Sequence, residues 1–148
     1  MATSGDALTD PDAALIAGAR HPVDSARSRT YDARVTLEPI AIVDAFGVAW
    51  AGHDLETAMS YISDDCVFDA TGPAPDGSRH VGHEQIRKAW KEIFDDPSST
   101  FEPEETFGSG DRVIQRWRYS WDGGHVRGVD LFKVVQERIT EKLSYVKG

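Results

Sequence analysis

The chain has 148 residues, 16 of them basic against 25 acidic, and a formal net charge of −9. That length suits one domain able to bury its core without disulfides or metal, so the single cysteine, Cys66, staples nothing. The acidic balance argues against nucleic acid and anionic membrane surfaces, which need clustered Lys and Arg. No apolar run reaches the length of a membrane span, and the first ten residues carry Asp6 and Asp10 with no Lys or Arg. The expectation is a cytoplasmic protein with no membrane partner.

Residues 1–36 hold one aromatic, Tyr31, and are rich in Ala, Asp, Ser, Thr and Arg. They read as a leader or arm, with a short helix over 11–18 capped by Asp10 and an irregular stretch over 20–34. The main domain is expected over 37–148. Ile40, Val43, Phe46, Val48 and Trp50 recur near helical spacing until Gly52. Asp54 suits an N-cap for a second helix with Leu55, Ala58, Met59 and Ile62 inside, ended by Asp64 and Asp65. Residues 66–70, CVFDA, read as a short strand, and TGPAPDGSRHVGHEQ as a loop, because two Pro and three Gly interrupt it.

A third helix is predicted over 83–94, with Ile86, Ala89, Trp90, Ile93 and Phe94 on one face, stopped before Pro97. Strands follow. The one at 101–107 is weak because it holds Pro103, and those at 112–121, 125–135 and 139–146 are strong. They are separated by Asp122-Gly123-Gly124 and by Gln136-Glu137-Arg138. Helices first and antiparallel strands after make an α+β domain, its curved antiparallel sheet wrapped around three helices and an internal apolar pocket.

Four stretches carry a family resemblance: AWAGHDLETAMSYISDDCVFDATG, GHEQIRKAWKEIF, RWRYSWDGGHVRGVDLFKV and RITEKLSYVKG. In this order they resemble the nuclear-transport-factor-2-like superfamily, which includes ketosteroid isomerase, the SnoaL-like polyketide cyclases and limonene epoxide hydrolase. The resemblance covers roughly residues 38–147 and implies a cone-shaped domain. It does not choose among the fold's isomerases, cyclases, hydrolases and pure binding modules.

Three residues are candidate proton movers. Asp69 sits in the apolar strand CVFDA, where ketosteroid isomerase keeps its catalytic base, and desolvation there raises a carboxyl pKa toward useful values. The alternative is a strand-end Asp that bonds the following loop. Asp130 is the only charge on a strand face with Val126, Gly128, Phe132 and Val134. The resemblance gives it the place of a protonated Asp that donates to an oxyanion. The alternative is a buried Asp paired to Arg116 or Arg118. Tyr145, pointing inward with Leu143, is the third, or else it is core with a wet tip.

The resemblance stops short of two known sites. The first helix offers Ala45 and Phe46 where ketosteroid isomerase needs a tyrosine, and the Asp-Arg-Asp set of limonene epoxide hydrolase is missing, Ser144 standing at its last position.

Trp50, Phe68, Trp90, Trp117, Tyr119 and Phe132 are expected to line the pocket and hold a small apolar molecule. His80 and His83 lack a third ligand, so no metal is expected, and the absence of any phosphate-binding loop before a helix predicts no cofactor.

Two functions remain open. One is a cofactor-free isomerase, cyclase or hydrolase with aspartate acid/base chemistry on an apolar carbonyl, polyketide-like or epoxide substrate. The other is a non-catalytic ligand-binding or assembly domain. Val129 and Leu131, opposite Asp130, predict a homodimer through the outer face of the sheet.

Overall fold

The computed structural model describes residues 36–148, so the helix expected over 11–18, the arm over 20–34 and Tyr31 lie outside the described residues. Leu37–Gly148 forms one compact unit and is described by itself. Its first helix, α1 (Pro39–Ala51), starts with Pro at its first turn, where the missing N–H costs nothing. Its buried face is Ile42, Val43, Phe46, Ala49 and Trp50. Ile40 and Val48, expected inside, are 37% and 74% exposed. Val48 lies half a turn from Val43 and Phe46, on the opposite side of a 3.6-residue helix.

The chain turns at His53, whose φ is +56°, and Asp54 then caps α2 (Leu55–Ser60) by accepting the Thr57 backbone N–H at 3.1 Å. This cap is the one read from the sequence. Both ring nitrogens of His53 lie against carbonyl oxygens, Phe94 at 3.1 Å and Ser99 at 3.0 Å, which ties this turn to the end of the third helix.

Strand β1 (Ile62–Asp69) begins at Ile62, which was expected on α2, and it runs through Asp64 and Asp65. The stretch read as pure loop contains β2 (Arg79–Val81), antiparallel to β1. The turn between them needs Gly77: its φ is +77°, and a Cβ there would lie 1.8 Å from the Ala70 carbonyl oxygen. Helix α3 (Gly82–Phe94) buries Ile86, Trp90 and Phe94, spaced four residues apart along one stripe.

Strands β3 (Thr100–Ser109), β4 (Arg112–Trp121), β5 (Gly124–Val135) and β6 (Arg138–Val146) complete an open six-stranded sheet in the order β2-β1-β6-β5-β4-β3. The α+β reading stands, with one difference. The sheet is mixed, because β1 runs parallel to β6 and returns beside it only after the whole antiparallel run.

One irregularity decides the site. Lys133 pairs with Glu141, but Val134 pairs with Ile139, so Thr140 is an extra residue in β6. Such a bulge moves every later side chain of the strand to the opposite face. Ile139 therefore points into the core, and past the bulge it is Lys142 and Ser144 that point the same way.

The helices cover the inner face of the sheet. The core between them is aromatic: Trp90 sits 5.5 Å from Phe46, 5.0 Å from Trp50 and 5.6 Å from Phe68, centroid to centroid.

Candidate functional site

A cavity of about 260 Å³ lies between α1, α3 and the inner face of the sheet. Strand alternation supplies its wall. Phe68 comes from β1, Phe101 from β3, Trp117 and Tyr119 from β4, and Trp50 reaches in from α1. Gly128, the β5 partner of Trp117, lets the indole lie flat on the strand, since a Cβ there would sit 2.5 Å from the ring.

The polar end of the cavity is Asp130, Lys142 and Ser144. Asp130 and Ser144 are direct partners across β5 and β6, and Lys142 is partnered with Phe132, one diagonal step away. A long side chain spans that diagonal. Lys142 Nζ reaches Asp130 Oδ2 at 3.1 Å and donates to Ser144 Oγ at 3.1 Å. It also lies over the rings of Trp50, at 4.7 Å, and Phe68, at 4.9 Å. The ammonium thus lies against a carboxylate, a hydroxyl and two π faces while still lining the cavity.

The two charged side chains are only 6% and 2% exposed. A pair so deeply buried persists because each ion compensates the other, and removing one leaves a desolvated charge. The compensation is incomplete on one side. Asp130 Oδ1 has no donor from the protein, and the indole N–H of Trp117, another wall residue, has no acceptor. Native proteins leave few buried polar atoms unpaired, so each needs a reason.

Asp69 is placed elsewhere. Phe68 and Ala70 line the cavity, and Asp69 between them points to the other side of the sheet. There Arg79 grips it in a two-point fork at 2.7 and 2.8 Å. Hydrogen bonding from Arg79 holds its carboxyl below the ordinary 3.8, and burial opposes this only in part. Asp69 and Asp130 therefore do not share one cavity. Asp130, expected opposite an arginine if structural, pairs instead with a lysine.

Tyr145 is also outside, 54% exposed, because the bulge at Thr140 turns it away. Trp50, Phe68, Trp117 and Tyr119 are on the wall as expected. Trp90 and Phe132 are fully buried and stand outside the lining, where Trp90 backs Trp50 and Phe68, and Phe132 packs on Phe46 at 5.8 Å. Sequence reading missed Lys142, Ser144 and Phe101.

Among the described residues no three His, Cys, Asp or Glu side chains gather as a metal would require. His80 bonds Ser78 Oγ at 3.1 Å and stacks on Phe68, and His83 meets the Ile62 carbonyl at 3.1 Å. Cys66 is buried and free, and burial pushes its thiol up to about 12.

The family described as SnoaL-like domain matches residues 42–142. No curated protein matches the chain at a significant level. Among solved structures, a nuclear-transport-factor-2-like protein of unknown function from Mesorhizobium loti is 40% identical, with a TM-score of 0.69, over 77% of this chain and 100% of its own. A Sinorhizobium meliloti protein provisionally named a polyketide cyclase is 22% identical, TM-score 0.62, over 73% of this chain and 99% of its own. A Kribbella flavida protein provisionally named a ketosteroid isomerase is 11% identical, TM-score 0.66, over 76% and 80%. The last two likenesses speak to the fold alone.

Proposed function

This chain belongs to the SnoaL-like domain family, and from that premise we propose a cofactor-free acid/base enzyme acting on a small, mainly apolar carbonyl compound of polyketide-like type. The observation that carries the reading is the unpaired Asp130 Oδ1 at the cavity, with Oδ2 held by Lys142. A carboxylate fixed through one oxygen leaves the other free to accept a proton from carbon beside a substrate carbonyl. As that C–H bond breaks, negative charge grows on the carbonyl oxygen. The Lys142 ammonium and the Trp117 N–H are the groups of the wall suited to meet it, already in place and shielded from water. The aromatic wall holds the carbon skeleton, and Asp69 stays outside the chemistry. Two proteins of the same fold carry provisional names as a polyketide cyclase and a ketosteroid isomerase.

The test is deuterium uptake at the carbon beside the carbonyl in a panel of small cyclic ketones, followed by NMR in D₂O. Exchange faster than buffer alone, lost in Asp130→Asn by about 10²–10⁴-fold, is expected for a missing general base. Absence of exchange on every ketone would remove the enzyme reading.

The second reading, a binding domain without chemistry, is favoured by the cationic partner that each expected acid has: Arg79 for Asp69 and Lys142 for Asp130. In either reading the protein works in the cytoplasm as a homodimer through the outer sheet face. There Val129 and Leu131 lie beside Tyr145 and Leu143, their partners on β6. Light scattering in dilute solution tests this, a monomer mass ruling it out.

A further inference from the structure

We infer that the cavity's ligand is a neutral compound of one or two rings that carries both a hydroxyl and a carbonyl oxygen. This rests on reading Asp130 as the group the ligand meets, and deepens it by naming what the ligand must bring. Four facts support it.

The polar end already sums to zero charge, one carboxylate against one ammonium, both almost fully buried. A carboxylate or an amine on the ligand would add a third charge with no counter-ion among the lining side chains, and burying an unpaired charge is costly. A neutral ligand avoids that cost.

Asp130 Oδ1 is an acceptor without a donor, on a residue 1% exposed that lines the cavity. An ionised carboxylate only accepts, and Oδ1 has two lone pairs, so one can take a ligand O–H while the other stays open toward the carbon acid.

Trp117 Nε1 is a donor without an acceptor, on a wall residue 6% exposed. An indole N–H only donates, so it calls for a carbonyl oxygen. Trp117 is partnered with Gly128, two residues before Asp130 on the same face of β5. The two residues are therefore diagonal neighbours on the inner face of the sheet.

The volume, about 260 Å³, lies just under the roughly 300–1,000 Å³ of pockets for drug-sized molecules. Apart from the hydroxyls of Thr71, Tyr119 and Ser144 the remainder of the wall is hydrocarbon, so the ligand's own remainder is mainly apolar.

The test is a binding series read by tryptophan fluorescence and calorimetry: 2-hydroxycyclohexanone, cyclohexanol, cyclohexanone, cyclohexanecarboxylate and cyclohexylamine. The hydroxy-ketone is expected to bind about tenfold or more tightly than either single-function ring, the usual effect of leaving one buried partner unmet. The two charged rings should bind more weakly than cyclohexanol.

Two variants locate the effect. Asp130→Leu/Lys142→Met makes the polar end apolar without leaving a lone charge, and it should erase the preference for the hydroxyl. Trp117→Phe removes only the N–H, and it should weaken the hydroxy-ketone while sparing cyclohexanol.

Tighter binding of the carboxylate or the amine, a hydroxyl preference that survives the double variant, or no binding of any of the five would overturn the inference. It fails separately from the enzyme reading. Selective binding without proton exchange would leave the ligand class standing, whereas exchange on a plain ketone without hydroxyl preference would do the reverse.

Discussion

Lys142→Met isolates the buried ion pair, because methionine keeps most of the apolar stem and removes the charge. In the native protein Asp130 Oδ2 has the Lys142 ammonium at 3.1 Å and Oδ1 has no donor, so the substitution leaves a carboxylate with no compensation at all. Breaking such a pair costs about 3–5 kcal/mol. Loss of the cation from between Trp50 and Phe68 adds about 1–2 kcal/mol for a desolvated contact. Together these come to about 4–7 kcal/mol, and for a unit of this size each kcal/mol moves the midpoint by roughly 4 °C, so Tm should fall by about 16–28 °C. Asp130→Leu, which strands the lysine instead, should be comparable. The double variant Asp130→Leu/Lys142→Met should recover to within about 2 kcal/mol of wild type, since apolar replacement of a buried pair is often neutral. Urea denaturation of all four proteins closes the cycle. Singles each costing under about 1 kcal/mol, or a double equal to the sum of the singles, would refute the claim that the two charges depend on each other.

Other outcomes follow from the same structure. The Asp69 carboxyl, held below 3.8 chiefly by its hydrogen bonds from Arg79, stabilises the fold fully above about pH 4, and that contribution disappears as pH falls through its lowered value. Arg79→Gln should therefore raise the Asp69 midpoint in a carboxyl NMR titration and make acid unfolding less steep; an unchanged midpoint would show the fork is not formed in solution. The Cys66 thiol, pushed up to about 12 by burial, should be silent toward a disulfide reagent at pH 8 and react only on unfolding, so rapid labelling of the native protein would contradict its placement. Gly128→Ala drives a Cβ to 2.5 Å from the Trp117 ring and 2.4 Å from the Tyr145 carbonyl oxygen. It should cost about 1–3 kcal/mol, as overpacking does, and red-shift tryptophan emission.

Much of the fold was legible because it is written in local signals. Asp54 before a helix, Pro97 after one, Gly123 in a hairpin and the β-branched and aromatic runs of the last strands each act within a few residues. The parallel pairing of β1 with β6 was not legible, because it joins segments as far apart as Ile62 and Ile139 and no local pattern encodes a partner. Of the six expected wall aromatics, Phe68, Trp117 and Tyr119 line the cavity through alternation along their strands, and Trp50 reaches it from α1.

The polar end was read only half right, and the bulge at Thr140 is the cause. Alternation carried on from Ile139 puts Glu141, Leu143 and Tyr145 inside, the side on which Tyr145 was expected with Leu143. One extra residue reverses the faces and brings in Lys142 and Ser144. A signal was present in the strand itself. Past the bulge, alternation sets Lys142, Ser144 and Val146 against Glu141, Leu143 and Tyr145, and a lysine among inward positions asks for a buried acid, of which Asp130 was the only one on an apolar face. Asp69 misled for a different reason. Its strand is apolar on both sides, so composition could not say which way one residue points, and Arg79, ten positions on, lay in a segment read as loop.

Which acid does the work is the point on which the account turns. The direct measurement is the rate of deuterium exchange beside the carbonyl of a bound cyclic ketone, compared for wild type, Asp130→Asn and Asp69→Asn at a temperature where all three are folded. The account predicts a loss of about 10²–10⁴-fold in Asp130→Asn. It predicts a rate within a few-fold of wild type in Asp69→Asn, whose carboxylate faces Arg79 across the sheet from the cavity. Loss of exchange in Asp69→Asn with Asp130→Asn unaffected would contradict it.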